Sequence, residues 1–179
     1  MILDYNPPTT SSHSPSGERA PIKKYPDSIL REKCEEVKGV TPKIKKLSED
    51  MIETLEKNQG SGLAAPQVGE LKRIIVVQTE KGFEVFINPK IIKKSRETVI
   101  GEEGCLSFPG LFLKIKRAKE AEIEALDIEG KKIQIKINGL LSRVFQHEID
   151  HLNGILYIDR ISIFQRWKIR KKLSILKSE

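Results

Sequence analysis

GLLSRVFQHEIDHL, residues 139–152, repeats its apolar residues at helical spacing and holds two of the chain's three histidines, His147 and His151. Residues four apart on a helix share a face, so both imidazoles can reach one ion. Glu148 is turned by about 100° from His147. That puts its carboxylate beside the ion rather than on it, where a general base for a bound water belongs. A lone histidine on such a helix reads more simply as packed or solvated. The H-E-x-x-H pattern inside an apolar repeat points to a metal site.

Outward from this helix the chain reads as α+β. In TPKIKKLSEDMIETLEKNQG, residues 41–60, Thr41 can cap a helix and Pro42 suits its first turn. Ile44, Leu47, Met51 and Leu55 recur at helical spacing before Gly60 ends it. RIIVVQ (73–78) and FEVFINPKII (83–92) are β-branched runs bounded by Gly and Pro, hence strands. LFLKIKRAKEAEIEALDIEGKKIQIKI (111–137) alternates apolar and polar residues about a turn near Gly130, a hairpin signature. A basic helix closes the chain. This order predicts antiparallel or mixed strands packed around a central HExxH helix, with an N-terminal and a C-terminal helix. Residues 1–19, rich in Ser, Pro and Thr, read as a disordered leader, and 20–179 as a single domain.

Composition narrows the setting. Two cysteines, Cys34 and Cys105, are too few for a disulfide framework and favour a reducing compartment. The first twenty residues lack the basic start and apolar stretch of a secretory signal, and no apolar run approaches membrane-spanning length. The expectation is a cytoplasmic protein without a membrane anchor. The net charge is +7, and from Arg160 onward seven Lys or Arg face one acid, Glu179. Such a stretch is either a solvated helix face or a contact for an acidic partner such as RNA.

Two imidazoles do not complete a catalytic metal site, which usually has three protein ligands and a water. One protease group continues as H-E-x-x-H-x-x-G-x-x-H. Here HEIDHLNGILY keeps Gly154 but has Tyr157 at the third histidine position, and both methionines, Met1 and Met51, lie upstream. Asp159 offers a carboxylate, though it reads more simply as a surface or capping acid. Upstream, EEGCLSFPG places Cys105 in a constrained bend, where a thiolate would be a strong ligand. Two histidines and a cysteine also describe a copper electron-transfer site, but that site has no use for Glu148. Cys34, without a partner motif, reads as a small buried residue. GSGLAAPQVG, residues 60–69, lacks the ending of a phosphate loop. Its small residues let a ligand backbone come close, and Gln67 is its one polar side chain able to donate a hydrogen bond.

GSGLAAPQVG, EGCLS and QHEIDH together resemble the three signature motifs of the peptide deformylase family. The likeness continues through YPDSILR, FINPKI, CLSFPG, GLLSRVFQHE and HLNGILYIDR, from about Ile22 to the end of the chain. The resemblance implies removal of the formyl group from the formyl-methionine of new polypeptides by a metal-bound water. It makes Cys105, His147 and His151 the ligands of one divalent ion, natively Fe2+, with Zn2+ or Ni2+ able to substitute. Glu148 becomes the general base and acid, and Gln67 with the backbone N–H of Leu106 becomes the oxyanion hole. The formyl-methionyl peptide would lie extended against Ser61, Gly62 and Gly104, with its methionine side chain in an apolar pocket lined by Leu140 and Val144. Glu103 and Arg117 match charged positions of the family and would pair to brace the cysteine loop, and Asp150 would be structural. The basic C-terminal helix resembles the subgroup in which this segment docks on the ribosome near the exit tunnel. Ser61 and Ser142 depart from the family pattern. A general zinc endopeptidase and a metal-dependent RNA- or ribosome-binding protein are the competing readings.

Overall fold

The computed structural model describes residues 21–177, so the expected leader at 1–19 lies outside the described residues. Helix α1 spans Pro42–Lys57, with the Thr41 hydroxyl accepting from the Ile44 N–H as its cap. The helix stops before Gly60. Gln59, at φ 52°, takes the left-handed position, and the Gly60 N–H returns to the Leu55 carbonyl at 3.2 Å. Gly60 is glycine for space instead, since a Cβ there would stand 2.6 Å from the Leu55 side chain.

Seven strands follow. β1 (Gly62–Ala64), β2 (Ile74–Thr79), β3 (Gly82–Lys94), β6 (Glu120–Leu126) and β7 (Lys132–Asn138) form one antiparallel sheet in the order β1-β2-β3-β6-β7. β4 (Thr98–Cys105) and β5 (Phe108–Ala118) form a separate hairpin. The long alternating run at 111–137 is therefore not one hairpin. Only β6 and β7 flank the turn at Gly130 (φ 79°), while its first part, β5, pairs with β4. Period-2 alternation marks a strand without naming its partner. The chain changes sheets just after Ala118, whose N–H and carbonyl are both held by the Gln146 side-chain amide.

β2 is buried on both faces, as its unbroken apolar run requires. Ile74 and Val76 face Met51 and Leu55 of α1, while Ile75 and Val77 face Phe145, Ile149 and Leu152 of helix α2 (Gly139–Leu152). The α2 helix is thus central, between the five-stranded sheet and the β4–β5 hairpin. A third apolar cluster packs Phe108, Leu111 and Ile115 of β5 against Leu156, Tyr157 and Leu173. Leu173 belongs to helix α3, Ile163–Leu176, which docks through Ile169, Leu173 and Leu176. Among the described residues no helix is long and apolar enough to cross a membrane.

Candidate active site and metal centre

Cys105 ends β4 at the two-residue turn Leu106–Ser107, directly opposite Phe108 of β5. The hairpin carries this thiol to the inner face of α2. There Cys105 Sγ lies 3.2 Å from His151 Nε2, and the ligand atoms of Cys105, His147 and His151 all fall within 4.8 Å of one another. His147 Nδ1 is 2.9 Å from Glu103 Oε2, which leaves Nε2 as the ring nitrogen open to an ion. Burial holds His151 well below the usual histidine range, which keeps its ring neutral. Its buried Nδ1 has no partner among the described residues. One thiol and two imidazoles so grouped suit a divalent transition metal.

Glu148 is buried, and its Oε2 is unpartnered among the described residues. Burial lifts its carboxyl to about 7, and the charge of Glu103 adds to the shift. Such a group takes up and gives back a proton near neutral pH. Gln67 is held in one orientation. Its Oε1 accepts from the Ala64 N–H at 2.8 Å, which turns its Nε2 towards Ser107 Oγ at 3.2 Å and Cys105 Sγ at 3.5 Å. A hydrogen-bond donor from the turn after β1 therefore faces the thiol.

Cys105, His147, Glu148 and Gln67 line one cleft of about 650 Å³, whose wall also includes Ser61, Gly62, Gly104, Leu106, Leu140 and Val144; His151 stands behind the lining, against Cys105. Gly62 belongs to β1 and Gly104 to β4, and among the described residues each of these strands has one hydrogen-bonded neighbour, leaving an edge unpaired. Gly62 has a steric reason to be glycine: a Cβ would stand 2.6 Å from Glu148 Oε1 and 2.8 Å from Val144 Cγ1. At Gly104 a Cβ would meet the Phe112 ring at 2.6 Å. Leu140 is 71% exposed, so it belongs to the mouth of the cleft rather than its floor.

The ionic frame behind Cys105 and the two histidines is more extensive than the sequence implies. Glu103 pairs with Arg117, as expected, through Nε at 2.9 Å and Nη2 at 3.0 Å. It also accepts from Arg143 Nη1 at 2.8 Å. Burial pushes the Glu103 carboxyl up, but its hydrogen bonds with His147 and Arg117 outweigh that and hold it at about 2. The sequence motifs do not single out Arg143, Ser107 or Phe112. The available signal for Arg143 was a basic residue one turn before His147 inside an apolar repeat. Its guanidinium also donates to the carbonyls of Val99 and Ile115, tying the hairpin to α2, and fills the space above Gly101. Asp150 pairs with Arg117 and Arg160, set back from His147 by Arg117 and Glu103.

The alternative third ligands stand elsewhere. The Tyr157 hydroxyl donates to the Leu111 carbonyl at 2.8 Å in the apolar cluster. Asp159 pairs with Arg31 and accepts from the Leu156 N–H at 2.9 Å, a capping acid. Cys34 is a buried lone thiol that burial pushes up to about 11.

Comparison with known proteins agrees with this geometry. The family model for polypeptide deformylase matches residues 19–167. A peptide deformylase of Thermodesulfovibrio yellowstonii is 47% identical over 161 residues, covering 87% of this chain and 97% of that protein. Peptide deformylase 1 of Clostridium perfringens is 52% identical over 135 residues, covering 74% and 91%. The crystal structure of peptide deformylase from Ehrlichia chaffeensis superposes with a TM-score of 0.84 at 40% identity, covering 90% of this chain and 96% of that one. By sequence over most of its length and by fold, this chain belongs to the polypeptide deformylase family, a family of hydrolases.

Proposed function

We propose that this protein removes the formyl group from the formyl-methionine of new polypeptides in the cytoplasm, releasing formate. The observation that carries the proposal is convergence: Cys105, His147, Glu148 and Gln67 meet in one cleft, with His151 grouped beside Cys105 and His147, and the cleft lies between two strand edges unpaired among the described residues. A peptide laid between β1 and β4 can extend both by backbone hydrogen bonds at Ser61, Gly62 and Gly104. Its methionine side chain then turns into the apolar wall at Val144, with Leu140 at the rim.

Cys105, His147 and His151 would hold one divalent ion, which we assign natively to Fe2+, with Zn2+ or Ni2+ as substitutes. When bound, such an ion acidifies a water and polarises the formyl oxygen. Glu148 would take the proton of the attacking water as it adds to the formyl carbon. It returns the proton to the amine nitrogen as the carbon–nitrogen bond breaks, leaving formate and a free amino terminus. Gln67 Nε2 and the Leu106 N–H donate to the formyl oxygen as it gains charge, and the loss of one such donor typically costs about 100- to 1000-fold in rate. The crowding at Gly62 disfavours acyl groups larger than formyl.

Helix α3 is the proposed ribosome contact. Arg166 pairs with Asp159 and Lys177 lies over the Tyr25 ring, so both turn towards the domain rather than away from it. The cations left for a partner are Lys168, Arg170, Lys171 and Lys172, beside the exposed rings of Phe164 and Trp167. The test of the main proposal is hydrolysis of formyl-Met-Ala-Ser by protein prepared anaerobically, with metal analysis of the same sample. Cleavage of internal peptide bonds without formate release would favour the endopeptidase reading instead.

A further inference from the structure

The contacts behind His147 run outward in a line. Glu103 Oε2 meets His147 Nδ1 at 2.9 Å. The Arg117 guanidinium grips both Glu103 oxygens and uses its remaining Nη1 on Asp150 Oδ2. Asp150 is in turn gripped by both faces of the Arg160 fork, Nε to Oδ2 at 3.0 Å and Nη2 to Oδ1. Glu103, Arg117 and Asp150 are all buried, whereas the Arg160 side chain is 40% exposed. Arg160 is the outermost link. Its backbone is set by the turn Tyr157–Asp159, through an N–H bond to the Tyr157 carbonyl at 3.0 Å.

We propose that Arg160 is a positioning residue for the metal site, acting on His147 through Asp150, Arg117 and Glu103. The proposal rests on the reading of Cys105, His147 and His151 as metal ligands. Without Arg160, the single Arg117 guanidinium faces two buried carboxylates, Glu103 and Asp150. Its Nε–Nη2 edge is committed to Glu103, so it offers Asp150 Nη1 alone, and a buried charge left short of partners pulls on it. The Asp150 pull draws Arg117 off Glu103 Oε2, the oxygen that orients His147. Arg143 cannot replace it there, because its contact is with Oε1. His147 then loses its fixed ring orientation, and metal affinity falls with it.

The experiment is a Co2+ titration of the metal-free, full-length protein, followed by visible absorption, with the thermal midpoint of the metal-free form measured alongside. Loss of a direct partner of a ligating histidine typically costs about 10- to 100-fold in metal affinity. From its outer place in the line, Arg160→Ala is expected at the lower end, about 10-fold, with a shifted absorption band. Arg160→Lys, which keeps the charge and one contact to Asp150, is expected to recover most of the affinity. In an Asp150→Asn background, Arg160→Ala is expected to cost little more, since the line is already cut. Unchanged Co2+ affinity and spectrum in Arg160→Ala would overturn the proposal, as would an undiminished loss in the Asp150→Asn background. A lowered thermal midpoint with intact Co2+ binding would assign Arg160 to stability alone and overturn it too. If the unaltered protein bound no Co2+, the metal reading itself would fail and the proposal with it.

Discussion

Replacing Gly62 by alanine adds one methyl group at the tightest point of the cleft. The backbone there has no left-handed φ, so an alanine is not strained by conformation. Its cost is contact: the new Cβ would stand 2.6 Å from Glu148 Oε1, 2.9 Å from Glu148 Cγ and 2.8 Å from Val144 Cγ1. Heavy atoms rest at roughly 3.5–4.0 Å, so the Glu148 side chain must retreat by about 1 Å. A misplacement of about 1 Å in a reacting group costs on the order of 100-fold in rate. Overpacking of one methyl costs about 1–3 kcal/mol, at about 2–4 °C in Tm per kcal/mol for a domain of this size. We expect Gly62→Ala to bind metal as before and melt a few degrees lower. Its kcat on formyl-Met-Ala-Ser should fall about 100-fold. Turnover, metal content and melting are measured on one preparation. Unaltered kcat at full metal occupancy would refute the placement of Glu148 against Gly62, and loss of the metal would refute the separation of base from ligands.

Glu148→Gln should keep the metal and lose about 100- to 10,000-fold in turnover, because the proton carrier is gone while the ligands stay; a fully active, metal-loaded variant would remove Glu148 from the mechanism. Cys105→Ala should lose activity with every metal, whereas Cys105→Asp can keep a little, since a carboxylate also coordinates. The iron form should decay in air as metal and thiolate oxidise, and the nickel form should last longer; an iron enzyme stable to aeration would count against this ligand set. Gly154→Ala should destabilise the fold through both its φ of 69° and the collision of a Cβ with the Arg31 carbonyl, read as a Tm drop that metal does not reverse. Reversing Arg170, Lys171 and Lys172 should weaken ribosome binding, more at low salt, and leave short formyl-peptides cleaved as before; equal ribosome affinity would return the stretch to a solvated helix face.

Legibility followed the range of the interaction. The α1 cap at Thr41 and the helical face shared by His147 and His151 were readable because they depend on residues within a turn of one another. The same locality misled at 111–137, where alternation was correct for β5, β6 and β7 but silent on β5 pairing with β4. Gly60 was read as a helix stop, whereas the left-handed position fell to Gln59. The ion pair of Glu103 with Arg117 was anticipated through family likeness. Arg143 was not, because its partners lie on strands far away in sequence.

From sequence alone came the element types, the helix that presents two imidazoles and a carboxylate, and the family. These follow from backbone periodicity and from motifs whose residues are neighbours along the chain. Only the tertiary structure decided that Cys105 reaches His151, that Gln67 turns its amide nitrogen to the thiol, and that Arg160 stands at the end of a line leading to His147. Periodicity along a segment says which face is buried, but not what it is buried against. That is set when sheet, hairpin and helix pack together, and it is this packing that brings distant polar groups within hydrogen-bonding distance.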